Sequence, residues 1–217
     1  MRLLRAPASG VVYAVLVVVG MLLLVQESID DRTDEQIRSY YTDSGNRTTQ
    51  IVGFFLVAVG VLFFLWFISV LRSLLSSAEP EAKVLSTLAF GAGSTAAALL
   101  TVAAALLAGT SWAVEIATDF VVDPNQARFV VTTGYVLLMG AVLVNCVLVI
   151  ATSVLALRTS VLPNWLGWAG FAVVVLAIAE AFLLPVFIIP VWVVVVSVVL
   201  LVGTSTSQIQ AHEPEMT

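Results

Sequence analysis

Residues 165–204 read WLGWAGFAVVVLAIAEAFLLPVFIIPVWVVVVSVVLLVGT. As a single helix this run would be about 60 Å long at 1.5 Å per residue, about twice the ~30 Å hydrocarbon core of a bilayer. Pro185 and Pro190 lie near its middle. Each lacks a backbone N–H and disfavours helix in the residue before it, so an apolar hairpin turn is expected there. The run then supplies two crossings, at 165–184 and 187–204.

Four further apolar stretches meet or approach the length needed to cross, at 7–25, 51–71, 84–109 and 129–157. With them the reading is an all-α, polytopic transmembrane helical bundle of six spans, forming a single domain over 1–217. Composition agrees: 60% of the residues are hydrophobic and 11% charged, against roughly 45–50% and about 25% in ordinary soluble domains. The net charge of −5 and the lack of a Lys/Arg cluster argue against nucleic acid as a partner, because phosphate binding draws its affinity from clustered basic residues. Cys146 is the single cysteine, so an intramolecular disulfide and cysteine-rich zinc sites are excluded. Arg2 and Arg5 before the first apolar run resemble the start of a secretory signal, but the run exits through Val25-Gln26-Glu27 without a small-x-small cleavage pattern. It is read as a retained anchor.

Basic residues in short flanks set orientation. An N-terminus inside puts Arg2, Arg5, Arg72, Lys83 and Arg158 in the cytoplasm and Arg32, Arg38, Arg47 and Arg128 outside. The paired arginines at the head of the first span and the basic residues in the two short inner loops favour that arrangement, with both termini cytoplasmic, an external loop at 26–50 and a cytoplasmic tail at 205–217. In the loop, Thr33-Asp34-Glu35-Gln36 forms a capping box that should open a short helix, and Gly45 is expected to end it. Tyr40 and Tyr41 follow at positions that suit headgroup contacts if this helix lies on the membrane surface; a solvated loop is the alternative. Trp165 and Trp168 follow Pro163-Asn164 and are read as interfacial anchors at the cytoplasmic side.

Glu180 is the one ionisable side chain set well inside a span. A carboxylate in hydrocarbon costs about 2.5–3.5 kcal/mol on insertion scales, so such residues tend to face protein. Leu166, Ala169, Val173 and Ala177 share its helical stripe, while Phe171, Ile178 and Phe182 lie opposite. Asn145 has a similar setting, with Gly134, Ala141 and Thr152 on its stripe and Val136, Leu143 and Val147 facing away. By helical rise Asn145 lies about 20 Å from Arg158, Glu180 about 22 Å from Trp165 and Thr101 about 25 Å from Val84. These depths suggest a polar cluster in which Glu180 hydrogen-bonds Asn145 or Thr101. Its functional reading is a proton or solute step, and its structural reading is interhelical glue.

Gly91-Ala92-Gly93-Ser94-Thr95 is glycine-rich but lacks the following Lys and preceding strand of a phosphate loop, so close helix packing is expected. His212 stands alone in the polar tail. Asn46-Arg47-Thr48 matches a glycosylation acceptor beside the membrane. No catalytic residue, cofactor site or metal site is assigned from the sequence.

Several segments together resemble a family of uncharacterised six-span actinobacterial membrane proteins of the domain-of-unknown-function 4386 type. They are Ile37-Arg38-Ser39-Tyr40-Tyr41 with Asn46-Arg47, Phe64-Leu65-Trp66-Phe67 with Leu71-Arg72, the small-rich third span, and Arg158 through Leu162-Pro163-Asn164-Trp165-Leu166-Gly167-Trp168. The resemblance implies a bacterial plasma membrane and six spans, and brings no catalytic residue. The leading functional expectation is a non-enzymatic membrane component acting through protein or lipid partners, with the lipid bilayer as its first partner and a membrane protein or a second copy of the chain as others. A small proton or solute permease using Glu180 is the alternative.

Overall fold

The computed structural model describes residues 8–25, 29–79, 83–117, 119–159, 162–181 and 187–210. Among them the chain is all-α. The helices are α1 (Ala8–Leu24), α2 (Asp34–Thr42), α3 (Ser44–Ala78), α4 (Val84–Ile116), α5 (Pro124–Arg158), α6 (Asn164–Ala181) and α7 (Ile188–Gln210), with a 3-10 turn at Ile29–Asp31 before α2. Three of them, α3, α4 and α5, are long and apolar enough to cross a membrane; the described parts of α1, α6 and α7 are shorter apolar helices.

Helices adjacent in the chain pack side by side from α3 to α7, with α1 against α3, and α7 also packs on α1, closing a ring in the order α1, α3, α4, α5, α6, α7. The ring follows from short connections, which make successive helices antiparallel neighbours. Where two helices meet, small residues let the backbones approach. A Cβ on Gly20 of α1 would sit 2.8 Å from the Gly53 carbonyl oxygen of α3, and a Cβ on Gly53 would meet the Gly20 oxygen at the same distance. Gly60 is filled by Val17, Gly134 by Leu107, and Gly170 by Ser153. Gly93, in the glycine-rich stretch of α4, lies against Ile68 of α3 and Leu148 of α5, while a Cβ on Gly91 would meet nothing within 4 Å, so close packing falls on one face of that stretch.

The outward faces carry the large apolar side chains. Leu62, Trp66, Val136 and Val175 are all at least 60% exposed. Within a single helix the burial pattern sorts by side, so Gly134, Ala141, Asn145 and Thr152 of α5 are buried while Val136, Leu143 and Val147 are exposed. On α6, Leu166 and Ala177 are buried and Ile178 is exposed.

The helices depart from the apolar boundaries in several places. Residues 44–50 are not part of a loop but the first turns of α3, because Asp43 accepts a hydrogen bond from the Asn46 N–H at 3.0 Å and caps the helix. For the same reason α2 ends at Thr42, before Gly45: Asp43 closes one helix, donating its N–H to the Ser39 carbonyl, and opens the next. The last helix runs on through 205–210, inside the segment assigned to the tail. His212 lies outside the described residues.

Between α3 and α4 the N-terminus of α4 has no cap of its own, since Lys83 sits in the left-handed region at φ 46° with no side-chain cap. Glu79 supplies one from the end of α3, its carboxylate accepting from the N–H of Leu85 at 2.9 Å and of Ser86 at 3.1 Å. Burial alone would raise its pKa, but the N–H groups of Leu85, Ser86 and Val84 and the Ser86 hydroxyl outweigh this and hold the carboxyl below the usual glutamate range.

The pairs Gly167 with Leu157 and Gly170 with Ser153 fix the register of α6 on α5. Extending it brings Ala181, the last described residue of α6, level with about Val142, some 18 residues from the N-terminal end of α5. The short helix α2 packs on α3, α4 and α5 at that end of the ring.

The α1–α3 seam gives a direct test. Gly20→Leu should lower the melting temperature in detergent, with an overpacking cost of about 1–3 kcal/mol. Gly91→Leu, at a glycine where an added Cβ would meet nothing within 4 Å, should leave the melting temperature unchanged or raise it. Equal losses in the two variants would contradict the seam.

Candidate functional site

The polar chemistry of the described residues concentrates in two places. One is the α2 cap, and the other is a set of buried polar side chains inside the ring.

In the cap, the capping box forms as the sequence specifies. The Gln36 N–H donates to Thr33 Oγ1 at 3.3 Å and the Thr33 N–H donates to Gln36 Oε1 at 2.8 Å. Ile37 and Tyr41, one helical turn apart, are both buried. Tyr41 therefore does not face headgroups; the apolar stripe of α2 is turned onto the bundle, and the expectation of an interfacial anchor at Tyr41 is corrected. Tyr40 is half-buried, with the Arg32 guanidinium 4.8 Å above its ring. Burial holds the Tyr40 phenol above its ordinary range, helped by Tyr41, Asp43 and Tyr135 and opposed by Arg32.

Two arginines from different helices fasten this cap. Arg47 of α3 pairs with Glu115 of α4 at 3.0 Å and donates to the carbonyls of Tyr41 and Thr42 at 3.0 and 2.7 Å, satisfying the last turn of α2. Arg128 of α5 pairs with Asp34 in the first turn of α2 at 2.8 Å and donates to the Arg32 carbonyl at 2.9 Å. Asn46 donates its side-chain amide to the Tyr40 carbonyl at 3.2 Å, so the nitrogen of the glycosylation motif is engaged in holding the helix. Exposed ion pairs alone contribute about 0.2–1 kcal/mol each, but here each guanidinium also binds backbone oxygens, which adds geometric constraint. Beside α2 an open depression of about 1020 Å³ is lined by Asp31, Arg32, Gln36, Ser39, Tyr40, Asp43 and Asn46. A smaller one of about 210 Å³, lined by Gly109, Thr110, Phe120, Asp123 and Gln126 among others, lies where α4 ends and α5 begins.

Just below the cap, Gln50 of α3 and Ser111 of α4 are fully buried, and the Ser111 hydroxyl donates to Gln50 Oε1. The sequence reading missed this pair because Gln50 stood at the edge of an apparent loop. Only the helical register from Asp43 onward turns it inward.

Inside the ring, Asn145 is 6% exposed and its Oδ1 has no hydrogen-bond partner. Thr101 is half-buried, and its hydroxyl is turned back to the Ala97 carbonyl at 2.9 Å. Gly134 lies on Leu107, Gly140 on Leu99 and Leu148 on Gly93. This register sets Asn145 across from Ala96, about five residues or 7.5 Å of rise from the level of Thr101. On α6, the backbone of Glu180 stands within about 3 Å of the level of Asn145; the Glu180 side chain lies outside the described ones. At the end of the ring away from α2, Trp165 and Trp168 are 54% and 69% exposed. Among the described residues no group of three or more His, Cys, Asp or Glu is placed to hold a metal ion.

No family model, no curated protein and no solved structure matches the chain.

The arginine clamps generate one expectation. Replacing Arg47 and Arg128 together with Ala should free α2, seen as faster amide hydrogen exchange confined to 34–42 while α3, α4 and α5 keep their protection. Unchanged exchange across 34–42 would show that burial of Ile37 and Tyr41 alone holds the helix.

Proposed function

We propose that this chain is an integral protein of the bacterial plasma membrane that crosses the bilayer six times, with both termini cytoplasmic and α2 on the outer side, akin to the six-span family its sequence resembles. It acts as a non-enzymatic component through protein or lipid partners. The observation that carries this reading is the fastened cap. Side chains from three long helices, Arg47, Glu115 and Arg128, are used to hold a nine-residue helix and the depression beside it in one fixed pose. A preformed polar surface costs little ordering on binding, which suits recognition of a partner more than chemistry. The exposed apolar faces of α3, α4 and α5 give the lipid contact, and Trp165 and Trp168 anchor the opposite, cytoplasmic rim.

One observation favours a second reading. The unpartnered Oδ1 of Asn145 stands near the level of the Glu180 backbone, and a protonated carboxyl there would be a matching donor. In that case the bundle is a small permease using Glu180.

Purification from native membrane separates the two. Under the partner reading a stoichiometric protein or lipid accompanies the chain and is lost from the Arg47→Ala, Arg128→Ala variant. A wild-type preparation without any such companion contradicts it. Under the permease reading, Glu180→Gln changes proton or solute flux in reconstituted vesicles, and wild-type flux equal to that of protein-free vesicles removes that reading.

A further inference from the structure

Among the described residues four buried side-chain atoms have no hydrogen-bond partner: Gln50 Nε2 beside the cap and, deeper in the ring, Asn145 Oδ1 on α5 and Trp192 Nε1 and Ser197 Oγ on α7. The Asn145, Trp192 and Ser197 side chains are 6%, 2% and 0% exposed. Ser197 differs from six other hydroxyls of this bundle. Those of Ser69, Thr95, Thr101, Thr133, Thr152 and Ser153 each turn back onto the carbonyl four residues earlier, the usual way for a helix to satisfy a serine or threonine in an apolar setting. Ser197 Oγ instead lies against Gly10 of α1, where a Cβ would come within 2.1 Å of it.

The packing places the Asn145, Trp192 and Ser197 atoms at similar levels along the ring. Gly10 touches Val193 and Ser197 of α7 and Phe67 of α3; the next residue of α3, Ile68, lies on Gly93 of α4, which in turn meets Leu148 of α5. These contacts define one cross-section of the ring. α7 starts at Ile188, soon after α6 ends at Ala181, and packs on it, so it runs back antiparallel to α6 and parallel to α5. Trp192 and Asn145 then both stand about three residues, or 4.5 Å, from this section toward the α2 end, and Ser197 about 3 Å on the other side. The chemistry is complementary: the indole N–H only donates, the amide oxygen only accepts, and the hydroxyl does both.

We propose that Trp192, Ser197 and Asn145 form one intramembrane binding site for water, so that the ring is wet at its centre. Trp192 and Ser197 are about 7.5 Å apart along α7, more than one bridging water spans, so the occupant is a short chain of waters. Water fits because each molecule can accept from the indole and donate to the amide oxygen, and buried waters characteristically take up polar groups that the protein leaves unpaired. The site stands whichever reading of function holds, and its failure would leave the partner reading untouched.

The test uses the full chain in lipid nanodiscs with 15N-labelled tryptophan, the Trp192 indole resonance being assigned by its loss in Trp192→Phe. The expected result is a water cross-peak at the Trp192 N–H that falls severalfold in Ser197→Ala or Asn145→Leu. A wild-type N–H without a water cross-peak overturns the site, as does a cross-peak that neither substitution alters. Thermal unfolding gives an independent readout. With waters shared among these groups, Trp192→Phe and Asn145→Leu each lower the melting temperature, and the double variant loses less than the sum. Dry, orphaned groups would give the opposite, variants that melt at or above the wild-type temperature.

Discussion

Everything in this molecule depends on where its backbone hydrogen bonds go once water is excluded. A chain in hydrocarbon must satisfy each N–H and C=O internally, and a helix does so within one segment. Side chains are then free to be apolar in all directions, and the helices here are: bulky valines, leucines and aromatics on their outward faces, small residues and glycines where two backbones meet. Under the proposed placement in a bilayer, lipid tails are as apolar as the side chains and attraction between helices comes from fit, which the α1–α3 contact through Gly20, Gly53 and Gly60 provides. The same constraint makes the few buried polar groups costly and therefore informative.

The two ends of the bundle solve the chain-reversal problem differently. Between α3 and α4, a carboxylate from the outgoing helix caps the incoming one. At the α2 end, a single aspartate, Asp43, joins α2 to α3, and arginines rooted in α3 and α5 reach over to hold α2 in place. By register the described part of α6 lies along the C-terminal half of α5, and Arg128 near the start of α5 holds α2.

Much of this was legible in the sequence. Helix periodicity alone separated the buried face of α5, including Asn145, from the exposed Val136, Leu143 and Val147, because a long apolar helix still sorts small from large. The capping box at Thr33 was legible for a local reason, since both of its hydrogen bonds lie within four residues. What escaped depended on contacts between distant segments. Tyr41 read as an outward anchor because nothing local says which side of α2 the bundle occupies. Gln50 read as loop because its partner Ser111 is 61 residues away. Trp192 and Ser197 were invisible as polar positions, because an apolar run reads the same whether its indole meets lipid or protein. The activity was not legible, because the sequence carries no catalytic or metal-ligating set of residues.

The most direct check is the solvent the folded chain requires. Membranes containing the protein would be washed with high salt and alkaline carbonate, then extracted with detergent, and the detergent removed. The protein should stay in the membrane through both washes, be released only by detergent as a helical, monodisperse particle, and precipitate when detergent is withdrawn without lipid. A chain released by carbonate that remains a helical monomer in plain buffer would contradict the assignment of its outward apolar faces to hydrocarbon.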